Sequence, residues 1–135
     1  MTIAEVSKKY ELTQDTLRYY ERIGLIPSVN RNKNGIRNYK EEDCRWVEFA
    51  KCMRAAGLPV EVLIEYLTLF QQGNETLDAR KELLIEQRKD LMKKMEDIKG
   101  TIERLDYKID RYEKGLVGKI IDLIAIFALI AGTAT

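Results

Sequence analysis

A seven-residue apolar repeat in the second half of this 135-residue chain restricts its fold more than any other feature. The repeat begins at Leu77, and the side chains assigned to a dimerisation seam are Leu84, Leu91, Met95, Ile98, Ile102, Leu105, Ile109 and Tyr112. Spacing of this kind predicts one long coiled-coil helix. A helix of about 37 residues is roughly 55 Å long, which is more than a domain of about 70 residues covers. The seam therefore predicts a second chain.

Two short helices are predicted at the start of the sequence. The first covers residues 2–9, where Thr2 and Glu5 have the spacing of a capping box. The second lies within residues 13–26 and begins after Thr13, a residue type that favours the N-cap position. Two small helices joined by a tight turn, with Arg and Tyr on the open face, are typical of DNA-binding proteins.

The outer face of the second helix carries side chains suited to bases and phosphates. Leu17, Tyr20 and Ile23 share one face at helical spacing, which leaves Gln14, Asp15, Arg18, Tyr19 and Arg22 on the other. Although the whole chain has a net charge of only +1, residues 16–40 hold six Lys or Arg against one carboxylate. A local basic patch of this kind is the electrostatic mark of phosphate contact.

An Asn-Gly pair at Asn34–Gly35 predicts a hairpin, because both central residues of a type I′ turn need positive φ. Arg31, Lys33 and Arg37 surround the pair. The alternative is an ordinary surface turn. Since the pair directly follows a predicted helix-turn-helix and is flanked by cations, we interpret it as a basic two-stranded wing.

Two further helices are predicted between the wing and the coiled coil. The first begins at the acidic residues 41–43 and has Trp46 and Phe49 on its apolar face, and the second begins at Pro59. The predicted fold is mainly α, with a winged helix-turn-helix DNA-binding domain at 1–74, a coiled-coil dimerisation helix at 75–113 and an apolar tail at 114–135.

The tail has an unusual composition. Residues 120–131 are apolar except for Asp122. About 12 residues is shorter than the roughly 20 that cross a bilayer. Three interpretations remain open: a helix packed on the coiled coil or on a neighbouring copy, a contact with a membrane surface, or an oddity of the sequence.

Catalysis is not expected. The chain has no His, the commonest general base, and no Ser or Cys in a recognisable nucleophile motif. Cys44 and Cys52 would lie about 12 Å apart along one helix, too far for a disulfide or a shared metal ion. The start of the sequence lacks the features of a secretory signal, so a cytoplasmic protein is predicted. No cofactor is expected.

The order of these elements resembles the MerR family of bacterial transcription regulators. The segments that carry the resemblance are residues 3–6, 16–26, 34–39 and 41–43, and the likeness extends over 2–113. It implies a homodimer with an antiparallel coiled coil, bound to a near-palindromic operator in a promoter whose spacer is too long for RNA polymerase. It also implies that the activated dimer bends and untwists this spacer, so recognition depends partly on DNA deformability.

The resemblance also implies that the chain binds double-stranded DNA, and it indicates which residues contact it. By position, Arg18, Tyr19, Arg37 and Tyr39 match the family's contact residues. For the two tyrosines, packing between helix and wing is the alternative. The complete predicted contact set is Thr13, Gln14, Thr16, Arg18, Tyr19, Arg22, Arg31, Lys33, Asn34, Arg37 and Tyr39.

The sensed signal is predicted from cysteine positions. Metal-sensing members carry Cys ligands around the dimer helix, whereas residues 74–120 here contain none, so no metal is expected. Drug-sensing members add a ligand domain, for which the residues after Tyr112 are too few. Cys52 is similar to the single Cys of the aldehyde- and electrophile-responsive branch, and Lys51 and Arg54 beside it favour a reactive thiolate. The alternative for Cys52 is a small core side chain, the role expected of Cys44.

Two other functions compete with a promoter-binding regulator. In the first, the coiled coil and tail recruit a protein partner while the winged helix only docks. In the second, the tail tethers the regulator to a membrane.

Overall fold

Five α-helices and one short 3-10 helix form the part of the chain that the computed structural model describes, residues 1–115. No strand occurs within those residues, and the predicted mainly α fold is confirmed. The elements in order are α1 (Ile3–Tyr10), α2 (Gln14–Ile23), α3 (Glu41–Ala55), α4 (Val60–Gln72), the 3-10 helix (Asn74–Thr76) and α5 (Leu77–Glu113).

Side-chain caps fix the starts of the first two helices. The Glu5 amide donates to Thr2 Oγ1 at 3.2 Å and the Thr2 amide donates to Glu5 Oε1 at 2.9 Å, so the predicted capping box is confirmed. The bond from the Thr2 amide holds the pKa of the Glu5 carboxyl below its ordinary value. At α2, the Thr16 amide donates to Thr13 Oγ1 at 3.0 Å, as expected for an N-cap.

The core of the N-terminal helices is apolar and almost fully enclosed. Its largest fully buried side chains are Val6, Leu17, Ile26, Tyr39 and Val47. The burial of Val6 and Leu17 stabilises the fold by about 1.5 to 3 kcal/mol for each side chain. Because α2 buries Leu17, its opposite face is left for solvent.

The buried face of α3 differs from the predicted one. Cys44, Val47 and Ala50 enter the core, whereas Trp46 and Phe49 are only half-buried. Trp46 and Phe49 instead join Tyr66 and Phe70 of α4 in a surface aromatic cluster, with ring centroids 5.1–6.2 Å apart. Edge and tilted packing of this kind stabilises aromatic pairs, so the ring-bearing face of α3 is a helix–helix contact at the surface.

Thr76 and Arg80 connect the end of α4 to the beginning of α5. The Thr76 hydroxyl donates to the carbonyl oxygens of Leu69 and Gly73 at 2.6 and 2.8 Å. Arg80 donates through Nε to Thr76 Oγ1 at 3.1 Å and through Nη2 to the Gly73 carbonyl at 3.2 Å. These bonds satisfy carbonyl groups that the helix end leaves without partners.

The long helix α5 spans 37 residues and buries none of them. Its length confirms the predicted long helix. Contacts divide the chain into two units, Met1–Lys89 and Asp90–Thr135, so the first turns of α5 group with the N-terminal helices. The boundaries predicted at 74/75 and 113/114 stay predictions. Within residues 1–115, no helix is long and apolar enough to cross a membrane. The interpretations of the tail concern residues 116–135, which lie outside the described part.

Candidate DNA interface

The exposed face of α2 carries most of the predicted contact residues. The Arg18 guanidinium donates to Asp15 Oδ1 at 3.0 Å and to Gln14 Oε1 at 3.3 Å, and its side chain stays 43% exposed. Tyr19 is exposed, and the Arg22 guanidinium lies 5.4 Å from the centre of its ring. Exposed ion pairs contribute little to stability, so Arg18 can exchange Asp15 for a phosphate at small cost.

Two threonines at the start of α2 are at least partly exposed to solvent and also form hydrogen bonds at the helix end. Thr13 is exposed and Thr16 half-buried, and their Oγ1 atoms lie 2.7 Å apart. Thr13 Oγ1 also accepts the amide of Thr16. Both hydroxyls therefore serve the N-cap, and their predicted contact with DNA stays a prediction.

The wing is a hairpin as predicted, but its arms are too short to form strands: the Asn32 and Asn38 amides donate to the carbonyls of Ile36 and Asn30 at 2.8 and 2.7 Å. One antiparallel bridge joins Arg31 to Arg37. The Gly35 amide donates to the Asn32 carbonyl at 3.0 Å. Gly35 has φ +75°, whereas among residues 1–115 the only positive φ outside glycine belongs to Glu11. The type I′ assignment, which needs positive φ at Asn34 as well, is therefore wrong.

Asn32 explains why the turn adopts this form. Its Oδ1 accepts the amides of Asn34 and Ile36 at 2.9 and 3.1 Å. A type I turn closed by a left-handed glycine is the common alternative for a three-residue hairpin loop, and the Asn32 side chain stabilises it from within. Lys33 and Asn34 are consequently fully presented at the tip, where both are exposed.

The two arginines of the bridge have different surroundings. Arg31 is exposed and donates through Nη1 to the Gly35 carbonyl at 2.8 Å. Arg37 is only 20% exposed and donates through Nε to Glu21 Oε1 at 2.7 Å. Arg31 is thus an exposed cation whose hydrogen bond stays within the wing, whereas Arg37 is held against α2.

Glu21 is a site residue that sequence reasoning missed. Its Oε2 accepts the amide of Val29 at 3.1 Å while its Oε1 accepts from Arg37. The sequence shows it only as the single carboxylate of a basic stretch. That isolation was the signal, since an acid kept within a phosphate-binding region needs a structural reason.

Tyr39 departs from the expectation of a DNA contact. Its side chain is 2% exposed, and its hydroxyl has no hydrogen-bond partner among the described residues. Burial raises the pKa of Tyr39, and the charge of Glu21 raises it further. The packing alternative is the one that fits this burial. For Tyr19, which is 42% exposed, contact with DNA stays a prediction.

The two cysteines have opposite environments. Cys44 is buried and Cys52 is exposed, and both are free. The expected structural role of Cys44 agrees with its burial, and the alternative of a small core side chain does not fit Cys52. Lys51 donates to the Tyr10 carbonyl at 2.6 Å and Arg54 to the Leu58 carbonyl at 2.6 Å, so both cations already have partners.

The predicted seam of α5 is an apolar surface. Seven of its eight side chains are exposed in the single chain, Ile98 to 59%, and Leu91 is half-buried. Ile85, Met92 and Tyr107 are exposed beside the seam, so the apolar surface is wider than the heptad positions alone. Within residues 1–115 no three acidic or Cys side chains are grouped to hold a metal ion.

Comparison with known proteins connects this geometry to a family. The profile of the MerR HTH family regulatory proteins matches residues 1–69, and a second profile, described as MerR, DNA binding, matches residues 44–107. The chain belongs to the MerR family. The predicted family is thereby confirmed, and the chain is a DNA-binding transcription regulator of that family.

Individual relatives agree with this assignment. The chain is 58% identical over 92 residues to the HTH-type transcriptional regulator AdhR of Bacillus subtilis, and the match covers 68% of this chain and 66% of AdhR, just under two thirds of that protein. A MerR family transcriptional regulator from Listeria monocytogenes shares 44% identity at a TM-score of 0.85, with 95% of this chain and 97% of that one covered.

One of the similar solved structures is a complex with DNA. HiNmlR, a MerR family regulator lacking the sensor domain and solved bound to promoter DNA, shares 26% identity at a TM-score of 0.78, with coverage of 88% of this chain and 95% of that one. These likenesses favour the regulator over the interaction module and the membrane tether.

Proposed function

We propose that this MerR-family chain is a cytoplasmic homodimer that binds a near-palindromic promoter site through α2 and the wing of each copy. By distorting the spacer, the dimer controls access of RNA polymerase to the two promoter elements. The observation that carries the proposal is the surface formed by Arg18, Tyr19 and Arg22 on α2 beside Arg31 and Lys33 on the wing, all directed away from the core. Such a surface combines phosphate contacts with groove contacts.

The apolar seam supports a homodimer. A run of exposed Leu, Ile and Met side chains along one helix is costly in water, and a second identical helix removes that cost. A pair of chains also presents two DNA-binding surfaces, which matches an operator with two half-sites. No cofactor and no metal ion are part of the proposal.

Electrophile sensing by Cys52 is the finer part of the proposal. Its support is the exposure of Cys52 on α3, the burial of Cys44, and the likeness of its position to the aldehyde-responsive branch. An exposed thiol reacts as its thiolate, and its sulfur adds to an aldehyde carbon while the carbonyl oxygen takes up a proton. This reaction needs no further reagent.

A footprint on the promoter of its own gene tests the proposal. The full-length protein is expected to protect two half-sites related by a dyad, each losing protection as the salt concentration rises. Adding an aldehyde is expected to change the cleavage pattern of the spacer or the transcript level while the half-sites stay protected. Absence of any dyad-related protection would contradict the regulator, and an unchanged response to aldehyde would contradict the sensing step alone.

A further inference from the structure

Glu21 joins the two DNA-contacting elements through one carboxylate. One oxygen accepts a hydrogen bond from the Val29 amide at 3.1 Å, just before the wing, and the other accepts one from Arg37 Nε at 2.7 Å, on the second arm of the wing. Because Glu21 belongs to α2, both ends of the wing are attached to that helix. The side chains of Glu21 and Arg37 are 16% and 20% exposed, so water competes weakly for these bonds.

The ion pair leaves part of the guanidinium available. Arginine has five N–H donors in a planar fork, and Glu21 occupies the one on Nε. Among residues 1–115, the hydrogen bond that the Arg37 guanidinium makes is the one from Nε. A guanidinium fixed through Nε can therefore still offer two parallel N–H groups to a phosphate, the bidentate geometry that arginine forms best.

A carboxylate at position 21 is not what a phosphate-binding surface needs on grounds of charge. Glu21 is the one acid among six cations in residues 16–40, and a negative charge near the DNA backbone opposes binding. If its charge were its only effect, its removal would strengthen binding. If it positions Arg37, its removal weakens binding, because an unrestrained guanidinium loses side-chain entropy each time it binds a phosphate. The two possibilities predict opposite signs.

We propose that Glu21 is a positioning residue for DNA binding, which fixes the wing on α2 and presents the Arg37 guanidinium to a backbone phosphate. This inference rests on the proposed DNA interface and adds a residue that touches no DNA itself. Burial raises the pKa of the nearby Tyr39 hydroxyl, and the charge of Glu21 raises it further.

Glu21→Gln separates the two effects. Glutamine keeps an acceptor for the Val29 amide but loses the ion pair with Arg37 and the negative charge. We expect duplex affinity to fall about tenfold, the effect of one charged hydrogen bond, and the slope of log affinity against log salt to fall by about one. The measurement is fluorescence anisotropy of the full-length protein on a labelled duplex of its own promoter region.

Glu41→Gln is the matched control. It makes the same charge change and also breaks an ion pair, but Glu41 is 84% exposed and pairs with Arg45 of its own helix α3, away from the proposed DNA interface. We expect its affinity to stay equal to that of the wild type. Thermal unfolding of both variants accompanies the titrations, so that a loss of fold is distinguished from a loss of contact.

A double-mutant cycle completes the test. In an Arg37→Ala background, Glu21→Gln should cause no further loss, since there is no guanidinium to position. Arg37→Lys keeps the charge but is expected to bind almost as weakly as Arg37→Ala, because an ammonium held by Glu21 lacks a planar fork. This variant leaves Glu21 intact and stays informative even if Glu21→Gln unfolds.

Each of these measurements has an outcome that would overturn the positioning role of Glu21. Affinity for Glu21→Gln at or above that of the wild type, full affinity in Arg37→Lys, or independent effects in the cycle would overturn the positioning role while the DNA interface stands. A wild-type protein without salt-dependent duplex binding would overturn the interface itself and this inference with it.

Discussion

The Lys51 ammonium donates a 2.6 Å hydrogen bond to the carbonyl of Tyr10, the last residue of α1. A cation at a helix C-terminus also interacts favourably with the helix dipole. Lys51 therefore ties α3 to α1 and is not a dedicated partner of the Cys52 thiol beside it. The two cysteines differ in solvent accessibility: Cys52 is exposed and Cys44 is buried.

This difference in solvent accessibility predicts that an alkylating reagent labels Cys52 selectively. In the native protein at neutral pH, Cys52 is expected to react with a small alkylating reagent at least about tenfold faster than Cys44, because Cys52 is exposed and Cys44 is buried. Mass spectrometry of timed samples measures both sites, and the denatured protein is the control in which the two rates converge. Equal native rates would remove the structural basis for a sensor at Cys52.

Cys52→Ser tests the response itself. Serine has nearly the same size and is a far poorer nucleophile, so the variant should fold, bind the promoter and no longer change its transcription with aldehyde. Cys44→Ser is the paired variant and should retain the response. An aldehyde response that persists in Cys52→Ser would assign sensing to another group.

Tyr39→Phe is expected to leave duplex affinity unchanged. Its hydroxyl is buried and has no partner within residues 1–115, so its removal should leave the free energy of unfolding equal or raise it by about 1 kcal/mol. Chemical denaturation and anisotropy on the same duplex provide the two readings. A loss of affinity at unchanged stability would restore Tyr39 as a direct DNA contact.

A carboxylate in the seam should separate the two copies. Ile102→Asp would place an unpaired charge in the dimer interface, which is strongly disfavoured. Sedimentation velocity should therefore detect a monomer that no longer binds the full operator. Ile36→Asp is the control for the oligomeric state alone and should stay a dimer, because Ile36 and Ile102 are each 50% exposed in the single chain but Ile36 lies in the wing. A stable Ile102→Asp dimer would move the interface elsewhere.

Local patterns made much of this fold predictable. Thr2 with Glu5 and Thr13 with Thr16 act within one helical turn, so their caps could be inferred from spacing. Leu17 and Tyr20 are buried as helical periodicity required. Family resemblance supplied the rest of the site, because residue types alone do not reveal which side chains meet across elements.

Contacts between distant residues account for the errors. The wing turn depends on the Asn32 side chain, which accepts two amides and replaces the expected type I′ conformation. Glu21 meets Arg37 across 16 positions, a contact that no local period encodes. Trp46 was predicted on the apolar face of α3, where it is only half-buried and packs against rings of α4.

The central claim is that α2 forms a surface for DNA, and Arg18 tests it most directly. Anisotropy titrations over a range of salt concentrations should compare the wild type, Arg18→Ala and Arg45→Ala on the promoter duplex. Arg18 and Arg45 each pair with a carboxylate on their own helix, at 3.0 and 2.9 Å, so the two variants lose the same charge and the same kind of bond. Arg18→Ala is expected to bind more weakly, with a salt slope lower by about one, while Arg45→Ala follows the wild type. Identical affinity and slope for Arg18→Ala and the wild type would contradict the account.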